Sequence, residues 1–337
     1  MLLVNRINRR ILKENLKNEP FQRRTLSFYK YTSINDPIKF RDYLFQDWQF
    51  LGCYGRVYVA KEGINAQMSV PEFNLAAFCQ YLLKYPELNG VSIKYAVEDN
   101  GKSFYKLTIK VRPKIVADGL ADHIPDMSKT GLHLTPLEFH SAIEDPEAII
   151  VDMRNHYESE IGKFSGAWCP DADTFKEALQ IVATEFQNQK NRKLLLYCTG
   201  GIRCEKASAY LIYLGYKNVF QLSGGIIAYA NYVKENKIPS KFTGKNFVFD
   251  DRLGESVNGQ MISTCHQCGS PCDTHINCAN NDCHLLFIQC NSCREKYAGC
   301  CSVDCRNIQF LPPEDRKKFK ILRKSKYARS KIFNKMI

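Results

Sequence analysis

The chain has no run of about 18 consecutive apolar residues, the length a helix needs to cross a bilayer, so no membrane span is expected. Its opening, MLLVNRINRRILKENLKNEP, lacks both a long apolar centre and a small-residue cleavage site and does not read as a secretory leader. It is amphipathic and carries arginine, as mitochondrial presequences do, but its two acids and lack of serine argue against that. The expected compartment is therefore the cytoplasm, where thiols stay reduced. Also missing are a G-x-G-x-x-G fingerprint for a flavin or nicotinamide and a 2-His-1-carboxylate pattern for iron. No internal repeat of useful period is present.

What is there is cysteine and unevenly placed positive charge. The 337 residues suit two or three domains. Ten of the fifteen cysteines fall between Cys265 and Cys305, which in a reducing compartment points to metal binding more than to disulfides. The net charge is +12. Residues 1–30 hold eight Lys/Arg against two acids, and residues 306–337 hold eleven against two, so the middle of the chain is slightly acidic. Basic ends suit a polyanion such as RNA, and equally well serve as solvated, solubilising tails.

After a basic extension (1–24), residues 25–116 alternate strand and helix signals. TLSFYKYTS, GRVYVA, INAQMSV, VSIKYAV and FYKLTIKV read as strands. DPIKFRDYLFQDW, with Asp36 as N-cap and Pro37 at the first helical position, and PEFNLAAFCQYLLKY read as helices. The order is βαββαβ with a final strand, a ferredoxin-like pattern. A linker (117–131) leads to a second unit (132–238). There AIIVDMR, KLLLYC and NVFQLSG are buried strands, alternating with helices that include TFKEALQIVATEFQ, CEKASAYLIYLGY and GIIAYANYVKE. That alternation predicts a parallel sheet covered on both faces. A Cys-rich unit (245–310) and a basic tail (311–337) follow. The fold class is thus α/β and α+β multidomain, the last domain too small to hold without staples.

KLLLYC-TGGIR-CEKASAYL puts Cys198 at the carboxyl end of a buried strand, just before a helix, where open α/β sheets keep their active sites. Gly200 and Gly201 let the backbone of Thr199 to Ile202 curl so that N–H groups point inward. With the helix terminus, these groups favour an anion and hence a thiolate at Cys198. Arg203 adds positive charge. Cys204, on the first helical turn, is either a resolving thiol or a small residue packed under the loop. Glu205 and Lys206 are expected to cap and solvate the helix. Asp152 is expected to orient the loop or Arg203, or to satisfy strand-end N–H groups.

The six-residue loop Cys198–Arg203 resembles the rhodanese active-site loop, one residue shorter than that of related phosphatases. The stretch Asp152-Met153-Arg154-Asn155-His156-Tyr157-Glu158 and Gly162–Ala167 resembles the other rhodanese signature, with Lys163 where histidine is usual. Together with the turn KEGIN, the block FVFDDR (247–252) and the tail CHQCGSP…NCANNDCHLLFIQC, the chain resembles the rhodanese-related tRNA uridine(34) hydroxylase family over about residues 25–310. The resemblance implies oxygen-dependent conversion of the wobble uridine of tRNA to 5-hydroxyuridine, with molecular oxygen as co-substrate and the anticodon loop as partner. Cys198 would then be a nucleophile adding to uracil C6, with the loop N–H groups and Arg203 stabilising the developing charge. A persulfide on the same sulfur is the other role, and rhodanese-type sulfur transfer the alternative function.

In the Cys-rich unit, Cys265-x2-Cys268 and Cys290-x2-Cys293 have the spacing of a four-cysteine zinc site. A second site is expected from Cys278 and Cys283 with two of Cys300, Cys301 and Cys305, the first choice being Cys300 and Cys305. Such sites would be structural, since four thiolates leave no open position. For RNA, the aromatics Phe28, Tyr29, Tyr31, Tyr54, Tyr58 and Tyr105 offer stacking surfaces where they do not face the core, and the tail from Arg316 to Lys335 offers phosphate contacts.

Overall fold

A short helix, α1 (Arg9–Lys17), precedes the first sheet in the computed structural model, which describes residues 7–121 and 126–316. Leu12 and Leu16 are buried, and Lys13 pairs with Asp251 at 2.5 Å. Arg23 is buried too, held by Glu19 at 2.6 Å and lying 3.8 Å over the Tyr54 ring. The N-terminal extension is therefore partly a folded clasp rather than a free basic tail, because its apolar i, i+4 pair has a surface to cover.

The first domain contains β1 (Arg23–Tyr31), α2 (Pro37–Phe50), β2 (Tyr54–Ala60), β3 (Gly63–Pro71), α3 (Leu75–Leu83), β4 (Lys94–Tyr95) and β5 (Leu107–Val111). The strands lie in the order β4-β1-β3-β2-β5, antiparallel except for the β2–β5 pair. Asp36 caps α2 by accepting the N–H groups of Ile38 and Lys39 (3.1 and 3.0 Å), and Pro37 occupies the first turn as expected. One face of the sheet packs Leu26, Phe28, Val57, Val59, Ala66 and Met68 against Trp48 and Phe78 of the helices. Strand alternation sends Ser27, Tyr29, Tyr58, Asn65 and Gln67 to the opposite face, where they line a pocket.

The second domain contains β6 (Leu132–Leu134), α4 (Pro136–Ala142), β7 (Ile149–Asp152), α5 (His156–Glu160), β8 (Gly162–Phe164), α6 (Phe175–Glu185), β9 (Lys193–Tyr197), α7 (Ile202–Tyr213), β10 (Asn218–Leu222) and α8 (Gly225–Glu235). Its four-stranded sheet β6-β10-β9-β7 is wholly parallel. Leu194 to Tyr197 are all fully buried, with α6 and α7 on one face and α4 and α8 on the other. Thr135 caps α4 in a reciprocal box with Glu138. The pairing of β8 with β11 (Phe242–Asn246), continued by β12 (Glu255–Ser256), was not anticipated. This small antiparallel sheet leads the chain from the second domain into the third.

The third domain holds the hairpin β13 (His275–Asn277) and β14 (Leu286–Ile288), then α9 (Asn291–Lys296), α10 (Val303–Gln309) and α11 (Pro313–Arg316). Nearly all of the basic tail lies outside the described residues, and so do its expected RNA contacts beyond Arg316. Among the described residues no helix is long and apolar enough to cross a membrane.

Candidate active site

Cys198 follows β9 and is fully buried at the floor of a pocket of about 290 Å³ where all three domains meet. The loop behind it closes as its glycines require. Gly201 has φ +100°, and a Cβ there would stand 2.7 Å from the Tyr29 hydroxyl, so both backbone and space demand glycine. Gly200 has open space beside it. A second glycine turn braces the first. Gly225 has φ +65°, and a Cβ would come within 2.5 Å of the Cys198 carbonyl. The N–H groups of Ile226 and Ile227, at the start of α8, then donate to the carbonyls of Cys198 and Thr199 (3.0 and 3.1 Å).

The Cys198 sulfur accepts the Gly201 N–H at 3.2 Å. Burial opposes its ionisation. The opposing influences are a hydrogen bond from the Cys204 thiol, the Arg203 charge and the N–H groups of Cys204 and Arg203, and they win, bringing the thiol down to about 6. Burial and the neighbouring Cys198 push Cys204 well above the usual thiol range, so the pair holds its charge on Cys198. Cys204 is fully buried and packed under the loop.

Arg203 does not point freely at the pocket. Its guanidinium grips Glu158 through two bonds (2.6 and 2.8 Å) and reaches Thr199 Oγ1 at 3.2 Å. Glu158 is the residue the loop analysis missed as a partner. It appears in the upstream signature, but nothing in chain spacing says that it clamps the loop. Asp152 makes no hydrogen bond to Arg203; it accepts the Arg154 backbone N–H at the strand end (3.0 Å) and holds the Arg154 guanidinium (2.7 to 3.2 Å), which donates onward to the Gly162 carbonyl. Of its two expected roles the structure shows the second, satisfying a strand-end N–H, and through Arg154 it also anchors the β7–β8 connection. The third domain steadies α5 and hence Glu158, since His266 meets Glu160 at 2.8 Å and Tyr157 packs edge-on against Phe247.

Glu205 and Lys206 do not face solvent as expected. Glu205 accepts the Tyr29 hydroxyl at 2.9 Å and Gln221 Nε2 at 3.0 Å, and meets His133 at 2.9 Å. Lys206 is buried between Glu62, of the KEGIN turn, and Asp118 (2.5 and 2.8 Å). Tyr31 donates to the Ile202 carbonyl at 3.2 Å. The polar face of the first sheet is thus bolted onto the start of α7. Tyr29 and Tyr31 are spent on this joint, and Phe28 on the core. Tyr54 lies under Arg23, while Arg9 and Lys13 stand over Tyr105.

Around the pocket mouth are Arg56, Tyr58, Asn65, Gln67, Phe104 and Phe249, with Lys94, Asp250, Arg252 and Glu255. Lys94 sits 4.6 Å over the Tyr29 ring; burial lowers its affinity for a proton, against the pull of Cys198 and Glu205. Glu255 is pushed up to about 7 by burial, against the pull of Arg252 at 2.6 Å. Tyr29, Lys94 and Ile227 also wall a neighbouring cleft of about 610 Å³. Sequence reasoning named neither Lys94 nor Glu255; only the FVFDDR block hinted that this strand-end region mattered.

The distant cysteines gather into two fours. Cys265, Cys268, Cys290 and Cys293 form one, with all sulfurs within 4.8 Å of one another. The second is Cys278, Cys283, Cys301 and Cys305, with Cys301 in place of Cys300. Cys300 turns away to bond Gln309 at 2.7 Å. Tetrahedral zinc with Zn–S bonds of about 2.3 Å puts sulfurs about 3.8 Å apart. The contacts of 3.6 Å (Cys268–Cys290), 3.7 Å (Cys283–Cys301) and 3.5 Å (Cys301–Cys305) fit that shell.

Family models match the whole architecture: a UPF0176 acylphosphatase like domain over residues 23–115, a rhodanese-like domain over 135–232 and a rhodanase C-terminal domain over 243–306. A tRNA uridine(34) hydroxylase of Leptospira interrogans is 50% identical over 333 residues, covering 99% of this chain and 90% of that protein. The chain belongs to the tRNA uridine(34) hydroxylase family. A member from Hamiltonella defensa is 48% identical over 345 residues, 100% of this chain and 97% of its own. Among solved structures, a rhodanese-like domain from Anabaena matches 33% of the chain and 78% of its own at 22% identity and a TM-score of 0.27.

Proposed function

We propose that this protein hydroxylates C5 of the wobble uridine of tRNA, with dioxygen as co-substrate and the Cys198 thiolate as nucleophile. The observation that carries the reading is a buried cysteine sulfur, held by a loop N–H at the floor of a three-domain pocket, in a chain related from end to end to tRNA uridine(34) hydroxylases. Uracil C5 is unreactive toward oxygen until the ring is made electron-rich. Addition of the Cys198 sulfur to C6 does this, turning C5 into an enolate carbon. Because Arg203 is committed to Glu158, its part is to shape the loop. Stabilisation of the enolate falls to Lys94, a pocket cation that interacts electrostatically with Cys198.

The sulfur is buried, so a base still stacked in a loop cannot reach it; the uridine must be turned out into the pocket. An anticodon loop offers unpaired bases for which this costs little. Tyr58, Phe104 and Phe249 suit the ring faces, and Asn65 and Gln67 suit a uracil edge. Tethered to the pocket by Tyr29 and Lys94, the wider cleft is the route for flanking nucleotides. Substrate tRNA makes the cytoplasm the place of action. We assign zinc to both four-cysteine clusters, as staples that hold α5 and its Glu158 in position.

One feature favours sulfur transfer instead: the rhodanese-type loop of six residues with its fully buried thiolate. Two assays separate the readings. Purified protein with tRNA and oxygen should yield 5-hydroxyuridine, abolished by Cys198→Ala. Efficient turnover of thiosulfate and cyanide with tRNA left untouched would favour the sulfurtransferase.

A further inference from the structure

Hydroxylation by dioxygen needs four electrons, and oxidation of the uracil C5–H to C5–OH supplies two. The other two need a donor. Among the described residues, the thiols in the core cluster beneath the loop are Cys198 and Cys204. Both are fully buried in one core cluster, and Gly201 links them, its N–H donating to the Cys198 sulfur at 3.2 Å. The Cys204 N–H donates to the Gly201 carbonyl at 2.9 Å, which fixes the start of the helix beneath the loop. Cys169, in contrast, lies outside that cluster and is only partly buried, close enough to Asp152 and Arg154 to feel their charges.

We propose that Cys198 and Cys204 are the enzyme's own two-electron donor, ending each turnover as a disulfide that an external thiol or dithiol protein must reduce. The proposal rests on the hydroxylase reading and adds to it the source of electrons. Written out, the Cys198 sulfur bonds to C6, and the C5 enolate takes up dioxygen and a proton to give a C5 hydroperoxide. Attack by the Cys204 sulfur on the distal oxygen breaks the O–O bond, leaving C5–OH and a sulfenic acid on Cys204. Loss of the C5 proton restores the C5–C6 double bond and expels Cys198. Cys198 then displaces water from the sulfenic acid and the S–S bond forms. The sum is uridine, dioxygen and two thiols going to 5-hydroxyuridine, water and one disulfide, with every atom and electron accounted for.

This places Cys204 under the loop for a reason beyond filling space. A serine would pack equally well there, but it could carry no oxygen atom away.

The test uses the full-length protein, reduced and then freed of thiol, mixed in air with a tRNA transcript bearing uridine at the wobble position. The wild type should form about one 5-hydroxyuridine per chain and stop, with a Cys198–Cys204 linked peptide in non-reducing mass spectrometry; added dithiothreitol should restore repeated turnover. Cys204→Ser and Cys204→Ala, checked for an unchanged thermal melt, should fall at least about tenfold below this without thiol and regain product when dithiothreitol is present. Wild-type yield from both variants without thiol, or product formed with both wild-type thiols still free, would overturn the proposal. If the wild type forms no 5-hydroxyuridine even with dithiothreitol and air, the hydroxylase reading itself fails, and this one with it.

Discussion

Replacing Cys204 by alanine removes the thiol hydrogen bond that helps hold Cys198 as a thiolate, and the consequence can be read as a pH midpoint. The Cys198 thiol falls from an ordinary 9.0 to about 6, a bias toward the thiolate of about 4 kcal/mol. At pH 7 about nine-tenths of the sulfur would be ionised, against about one-hundredth for an ordinary cysteine. A hydrogen bond to a charged group is worth about 1.5–3 kcal/mol, so its loss should raise the midpoint by about one to two pH units. The assay is alkylation by iodoacetamide across pH 5–10, followed peptide by peptide because fourteen other thiols compete. The rate at Cys198 rises as the thiolate forms, so the variant's curve should shift to higher pH. A wild-type midpoint above about 8 would show that the loop does not favour the thiolate, and a midpoint unmoved by the substitution that Cys204 plays no part in holding it.

Glu158→Gln leaves the buried Arg203 charge half-satisfied and should cost about 3–5 kcal/mol of stability, measured by denaturant unfolding, with loss of activity even where the fold persists. Gly225→Ala drives a Cβ into the Cys198 carbonyl at a positive φ, so activity should fall at least about tenfold while its neighbour-free counterpart Gly166→Ala, strained in φ alone, leaves the chemistry intact. Metal analysis of protein purified without chelator should find two zinc ions per chain. Cys301→Ser should lose one of them, and Cys300→Ser none; equal loss from both would contradict the cluster assignment.

Local signals carried the sequence analysis far. The Cys198 loop could be found because everything that builds it, from the Leu194–Tyr197 strand through two glycines to the α7 terminus, is contiguous. The caps at Asp36 and Thr135 were readable for the same reason. What escaped notice depends on groups brought together across long separations. Glu158 reaches Arg203 across 45 residues, and Lys206 reaches Glu62 across 144. No periodicity encodes that the polar face of the first sheet would lie on the second domain's loop, so Glu205 and Lys206 read as surface residues. The choice between Cys300 and Cys301 escaped spacing as well, because adjacent residues point different ways and only the Gln309 contact separates them. The β8–β11 pairing was hidden by its shortness and by Gly162 and Gly244, which let the two backbones approach.

Transfer of an oxygen atom from dioxygen to uridine in the Cys198 pocket can be followed with ¹⁸O₂. Wobble-uridine tRNA is incubated with wild-type protein or Cys198→Ala under the labelled gas, and its nucleosides are weighed. The wild type should give 5-hydroxyuridine carrying one ¹⁸O, and the variant none. Unlabelled 5-hydroxyuridine, or labelled product formed equally by Cys198→Ala, would contradict such transfer.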